Sequence, residues 1–93
     1  MITRVKAVDQ RFSPEDRVTA VVQHVFEVRS INRPVALDDD LVLFGLTSLD
    51  TVKIVLLVES EFELMIPTAD IIPANFRSIS TISVLVRKLK DDL

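Results

Sequence analysis

The hydroxyl of Ser48 is the side chain in this sequence whose surroundings point most directly to covalent chemistry. It stands in the run Phe44-Gly45-Leu46-Thr47-Ser48-Leu49-Asp50, where an irregular stretch gives way to the most apolar helical segment of the chain. The position reads as a helix N-cap, where backbone N–H groups are unpaired and an anion is favoured. Capping alone would account for a serine there. Other groups able to do chemistry are few. A hydrolase nucleophile elbow requires G-x-S-x-G on a strand-to-helix turn. Here Gly45 lies three residues before Ser48, Asp50 stands where the second glycine would be, and no strand precedes them. His24 is the single histidine and falls midway along a predicted helix, where it reads as a surface or boundary residue. Asp38, Asp39 and Asp40 lack the D-x-D-x-D-G spacing and closing glutamate of a calcium loop. They read as a solvated acidic loop that could present negative charge to a basic partner, and no metal site is expected.

The elements that must position Ser48 are helical. Ser13-Pro14-Glu15-Asp16 is a strong helix start: a serine cap, a proline at the first helical position, and two acids at the positive end of the dipole. Val18, Val21, Val22, Val25 and Phe26 then form an amphipathic stripe, which predicts a first helix over about 14–29. A long connection, 30–47, follows the break at Asn32-Arg33-Pro34. Its Leu37, Leu41, Leu43 and Phe44 are expected to pin it to the core. The second helix is expected over about 48–63, with Ile54, Val55, Val58 and Phe62 inward. Leu49, Val52 and Leu56 then lie on the side of Ser48, rimmed by Asp50, Lys53 and Glu59. This helix carries more apolar surface than one buried stripe requires. The excess reads as deep burial or as an outward strip for a partner. A short helix around Thr68–Ile72, capped by Thr68, lies between Pro67 and Pro73. Phe76 anchors the next connection. The last helix starts at Ser78, Ser80 or Thr81 and buries Ile82, Leu85, Val86 and Leu89. The expected fold is an all-α four-helix bundle, three main helices and one short one, over 13–93, with 1–12 as an N-terminal arm.

Composition narrows the function classes. The chain has 93 residues, 48% hydrophobic, enough for one core. The longest apolar run is Ile54–Val58, far short of the roughly 20 residues of a membrane helix. There is no cysteine, so disulfides and thiolate metal sites are excluded and a cytosolic setting fits. Net charge is −3, unevenly spread. Residues 38–63 hold seven acids and one base, a local −6, against +2 before them and +1 after. A nucleic-acid partner is disfavoured and a basic protein partner favoured.

Beyond these physical readings, Gly45-Leu46-Thr47-Ser48-Leu49-Asp50-Thr51-Val52 resembles the attachment motif G-x-D-S-L-D-x-V of acyl carrier proteins. Glu59-Ser60-Glu61-Phe62-Glu63-Leu64-Met65-Ile66-Pro67 resembles the same family's E-E-x-F-x-x-x-I-P at the right distance, and the resemblance spans about 14–90. It implies a protein that is not itself an enzyme. Ser48 would carry 4′-phosphopantetheine, attached from coenzyme A by a phosphopantetheinyl transferase. The arm brings its own thiol, which would hold an acyl or aminoacyl group as a thioester. Partners implied are a loading ligase or acyltransferase and a downstream synthase or transferase, in fatty-acid, polyketide or nonribosomal-type biosynthesis, with the carrier a cytoplasmic monomer. The resemblance also places Leu49, Val52 and Leu56 at the apolar contacts of the recognition helix, and Asp50 and Glu59 on its acidic rim. Reversing either rim charge would then weaken docking at low salt. Two departures stand out. Thr47 replaces the usual aspartate before the serine, as in carriers loaded by adenylate-forming ligases, and Lys53 replaces a commonly acidic residue. They favour a dedicated carrier in a specialised pathway. Two other classes stay open: an unmodified helical interaction module, and a small hydrolase, which the missing second glycine and lone histidine disfavour.

Overall fold

Three α-helices carry the structure, a computed structural model that describes residues 12–92. They are α1 (Pro14–Val28), α2 (Ser48–Phe62) and α3 (Ile79–Asp91). Three short 3-10 turns lie between them, at Leu41–Phe44, Thr68–Asp70 and Pro73–Phe76. No strand occurs among the described residues. The expected arm lies outside the described residues except for Phe12, which is exposed. The all-α bundle expected from the sequence is the architecture observed, with its minor parts redrawn. The short helix reduces to Thr68–Asp70, and Thr68 does not cap it. The 30–47 connection and the Phe76 connection each contain a 3-10 turn instead.

Each helix starts where its side chains can take up free N–H groups. Ser13 Oγ accepts from the Asp16 N–H at 3.2 Å at the head of α1. Ser78 and Thr81 form a reciprocal capping box at the head of α3, at 3.1 and 3.0 Å. Lys88 and Lys90 complement the negative end of α3. The core is built almost wholly from aliphatic side chains, because the chain has five phenylalanines and no other aromatic. Val18, Val21 and Val22 of α1, Val58 of α2, and Ile79, Ile82 and Val86 of α3 have no exposed surface. Each such side chain contributes roughly 1.5–3 kcal/mol by leaving water.

The long connection is tied down at few points. The Leu41 N–H donates to the Arg77 carbonyl at 2.8 Å, and the Ser80 N–H donates to the Leu37 carbonyl at 2.9 Å. Leu41 is buried and Phe44 half-buried, its ring 5.1 Å from that of Phe26 and covered by the Arg33 guanidinium. The side chains of Leu37 and Leu43 are exposed and do not pin the loop to the core as expected. Gly45 closes the turn at φ +87°, with open space where a Cβ would stand. The requirement for glycine there is conformational, not steric.

The segment after α2 explains the spacing of its motif. Phe62 is buried, and Glu63 turns the chain at φ 53°. The Glu59 carboxylate accepts from the Ile66 N–H at 2.8 Å, and Ile66 is buried just before Pro67. Arg17 of α1 reaches the same region. Its Nε donates to Glu61 at 2.9 Å and its Nη2 to the Glu61 carbonyl at 2.7 Å, with the guanidinium 4.3 Å from the centroid of Phe62. The two side chains are only 10% and 6% exposed. Removing one partner leaves a charge stranded in a poorly solvated place. Arg17→Ala should therefore lower the unfolding free energy by about 3–5 kcal/mol in urea denaturation, whereas Arg17→Met with Glu61→Met should restore most of it. A loss under about 1 kcal/mol for the single variant would contradict this account.

Candidate functional site

Thr47, not Ser48, is the N-cap of α2. Thr47 has extended backbone (φ −102°, ψ 176°), and its hydroxyl oxygen accepts from the Asp50 N–H at 3.4 Å. The Asp50 carboxylate in turn accepts from the Thr47 N–H at 2.7 Å and from its hydroxyl at 3.1 Å. This is a capping box built on Thr47 and Asp50. The shift of one residue matters, since a capping serine would have its hydroxyl occupied. Ser48 instead takes the first helical position, exposed, with no hydrogen bond from its side chain to any described residue. The N–H groups of Ser48 and Leu49 likewise make no bond to any described residue, while those of Asp50 and Thr51 are taken up by Thr47. The result is a free hydroxyl at the positive end of a helix of 15 residues.

Asp50 was expected on an acidic rim, and it is not there. It is 2% exposed. Besides Thr47 it receives the guanidinium of Arg29, which sits at the C-terminal cap of α1. Burial pushes the Asp50 carboxyl up. The Thr47 N–H and hydroxyl outweigh it, with help from the charges of Arg29 and Lys53, and hold the carboxyl below the usual aspartate range. Glu59 also fails as a free rim charge. It is half-buried, with its carboxylate occupied by the Ile66 N–H. In the acidic loop, Asp39 accepts from the Ala36 N–H at 2.7 Å and Asp40 from the Val42 N–H at 3.1 Å. Those two aspartates shape turns, and only Asp38 of the three is fully exposed and unbonded among the described residues. No cluster of metal-ligating side chains occurs among the described residues.

The apolar half of the expected surface is present. Leu49, Val52 and Leu56 are 74%, 51% and 59% exposed, and Lys53 is exposed between them. Ile54, Val55, Val58 and Phe62 face inward as their spacing indicated. A groove of about 540 Å³ opens beside Ser48, with mainly apolar walls that include Leu46, Val52, Ile54, Ile72 and Phe76. The sequence reading missed it, because Ile71, Ile72 and Phe76 come together with α2 only through the 3-10 turn after Pro73. His24 is half-buried on α1 and is not among the residues lining this groove.

An exposed serine at the first turn of a central helix, with an apolar groove beside it, is the layout of a carrier domain. The family defined by a phosphopantetheine attachment site matches residues 16–89, and the chain belongs to that family of carrier proteins. Its covalent group is 4′-phosphopantetheine. Two relatives from Bradyrhizobium diazoefficiens carry the names aminoacyl carrier protein 2 and aminoacyl carrier protein 1. They are 36% and 37% identical over 72 and 71 residues, covering 77% and 76% of this chain and 81% and 79% of theirs. The fold also matches two solved structures of Bradyrhizobium japonicum glycine:[carrier protein] ligase. One is complexed with glycylated carrier protein (TM-score 0.72, 32% identity, 77% of this chain and 96% of that one). The other holds the cognate carrier protein and a glycyl adenylate analogue (TM-score 0.74, 32% identity, 81% and 96%). The residues present at the head of α2 fit the phosphate of the group: the Ser48 hydroxyl is free, and unbonded N–H groups stand beside it.

The Asp50 network makes a pH prediction. A carboxyl held below its ordinary value of 3.8 in the fold contributes stability that is present above that value and lost as pH falls through the lower, folded one. Asp50→Asn should be less stable at neutral pH by about 1–3 kcal/mol, since it gives up a hydrogen bond between charged groups. It should also lose less melting temperature than the parent on acidification to pH 2. Parallel acid limbs for the two proteins in thermal melts would show that Asp50 is not the titrating link.

Proposed function

We propose that Ser48 is the attachment point of the phosphopantetheine and that the loaded group is an amino acid, received from an adenylate-forming ligase. The observation that carries this is the position of Ser48: exposed, one residue inside a cap made by Thr47, so that its hydroxyl is free to react. The names of the relatives and the ligase in the solved complexes support the aminoacyl cargo and the class of loading partner. The threonine at the cap position supports the same reading.

In this reading the chain's own residues have three tasks. Thr47 and Asp50 hold the first turn of α2 so that Ser48 Oγ faces outward. That oxygen attacks the diphosphate of coenzyme A within the transferase. A phosphodiester forms, the bond to the nucleotide phosphate breaks, and the serine proton leaves to a base of the transferase. The N–H groups of Ser48 and Leu49, which no described residue takes up, would favour the negative charge of a phosphate on Ser48, as would the helix dipole. When bound, the group supplies the thiol that a chain without cysteine lacks. The groove beside Ser48 is large enough to shelter part of the arm, and its apolar walls exclude water from that part. Carrier proteins are in general not catalytic, and no step in this reading asks this chain to be an enzyme.

Intact mass spectrometry tests the assignment. Incubation with coenzyme A, magnesium and a broad-range phosphopantetheinyl transferase should add one phosphopantetheine to the parent and nothing to Ser48→Ala. A full gain that persists in Ser48→Ala would move the site elsewhere. No gain with several transferases would leave an interaction module in which Ser48 only begins a helix.

A further inference from the structure

The outer face of α2 does not have the charge that its stretch of sequence suggests. Residues 38–63 contain seven acids, yet two of them, Asp50 and Glu61, are neutralised by guanidinium groups of Arg29 and Arg17. Three more, Asp39, Asp40 and Glu59, have a carboxylate oxygen bonded to backbone N–H. Asp38 lies on the loop before α2, and Glu63 lies beyond the end of the helix. The exposed residues of α2 are Ser48, Leu49, Val52, Lys53, Leu56 and Ser60, with no acid among them. Lys53 stands four residues after Leu49 and three before Leu56, so it shares their face. It makes no ion pair among the described residues. A cation set in an apolar strip selects its contact by charge at close range, where an unpaired like charge would be costly.

Building on the carrier reading above, in which α2 meets the partner enzymes, we propose that the partner surface opposite α2 is an apolar hollow with a carboxylate facing Lys53. A basic patch, the complement of an acidic helix, is the wrong match for this face. Leu49, Val52 and Leu56 supply the contact area, and Lys53 sets the sign of the charge that completes it. Arg29, whose side chain is 36% exposed beside Asp50, keeps the Ser48 end of the same helix from presenting a negative charge.

Two helical peptides with the same leucine face, one flanked by glutamates and the other by lysines, test this at physiological salt. Amide shift titrations on the full chain give affinity and location together. The glutamate-flanked peptide should bind about two- to fivefold tighter, the range of one exposed charge pair. Its shifts should fall on Leu49, Val52, Lys53 and Leu56, and Lys53→Glu should reverse the preference while its amide spectrum remains that of the folded parent. Equal or tighter binding of the lysine-flanked peptide to the parent overturns the proposal. So does binding of both peptides elsewhere, or of neither. The outcome is separate from that of the Ser48 modification. If Ser48 proves unmodified but the peptide preference holds, α2 is the docking face of an unmodified module.

Discussion

The buried carboxylate of Asp50 is the interaction on which the functional end of this molecule depends. It closes the capping box with Thr47 and receives Arg29 from the end of α1. Eighteen residues separate Arg29 from Ser48, and much of that connection is exposed. Without the Asp50 contact the start of α2 would be held to α1 only by contacts further along the helices, the Arg17–Glu61 pair among them. With it, the C-terminal cap of one helix and the N-terminal cap of the next are fixed to the same carboxylate oxygen, Oδ2 of Asp50. Ser48 lies inside that arrangement but takes no part in it. Its backbone is held while its hydroxyl is free. A reactive group needs both conditions, because an ordered position limits the geometries to be searched and a free oxygen leaves nothing to be broken first.

The same economy of bonding explains why a strongly acidic segment yields so little acidic surface. Carboxylates are the best acceptors for the N–H groups that turns and helix ends leave over. In a chain with one glycine and long irregular connections, those N–H groups are many. Asp39, Asp40 and Glu59 each satisfy one, while Asp50 satisfies one and pairs with an arginine as well. The segment keeps its negative field at long range, but its contact surface is set by the groups left over. On the outer strip of α2 those are Leu49, Val52, Leu56 and Lys53.

Much of the fold was legible in the sequence because it is written in periodicity and caps, both local. Ser13 with Pro14 marked the start of α1, and Val18 to Phe26 marked its buried face, both as observed. The inward and outward apolar side chains of α2 were separable by spacing alone. The errors share a cause. Asp50 and Glu59 were read as rim charges because a helical wheel gives the direction of a side chain relative to its own axis and says nothing of what lies beyond. Arg29 is 21 positions away from Asp50, and Ile66 is held to Glu59 by a chain reversal at Glu63. The cap was assigned to Ser48 when Thr47 was equally able. What decides between neighbouring hydroxyl residues is which of them has the acid three positions on, and Thr47 has Asp50. That signal was in the sequence and favoured Thr47.

The replacement of aspartate by threonine at position 47 then acquires a physical reading. A capping aspartate would place a second carboxylate against that of Asp50, and the two would compete for Arg29 and repel each other. Threonine can both accept from the Asp50 N–H and donate its hydroxyl proton to the Asp50 carboxylate. An aspartate, ionised, could only accept. Threonine therefore suits a chain in which Asp50 is buried and paired, and aspartate suits one in which that position looks out to solvent. The residue before the serine and the burial of the residue after Leu49 are then two parts of one choice. In this chain the choice turns acidic charge inward at the head of α2 and leaves its outer face to apolar contact and Lys53.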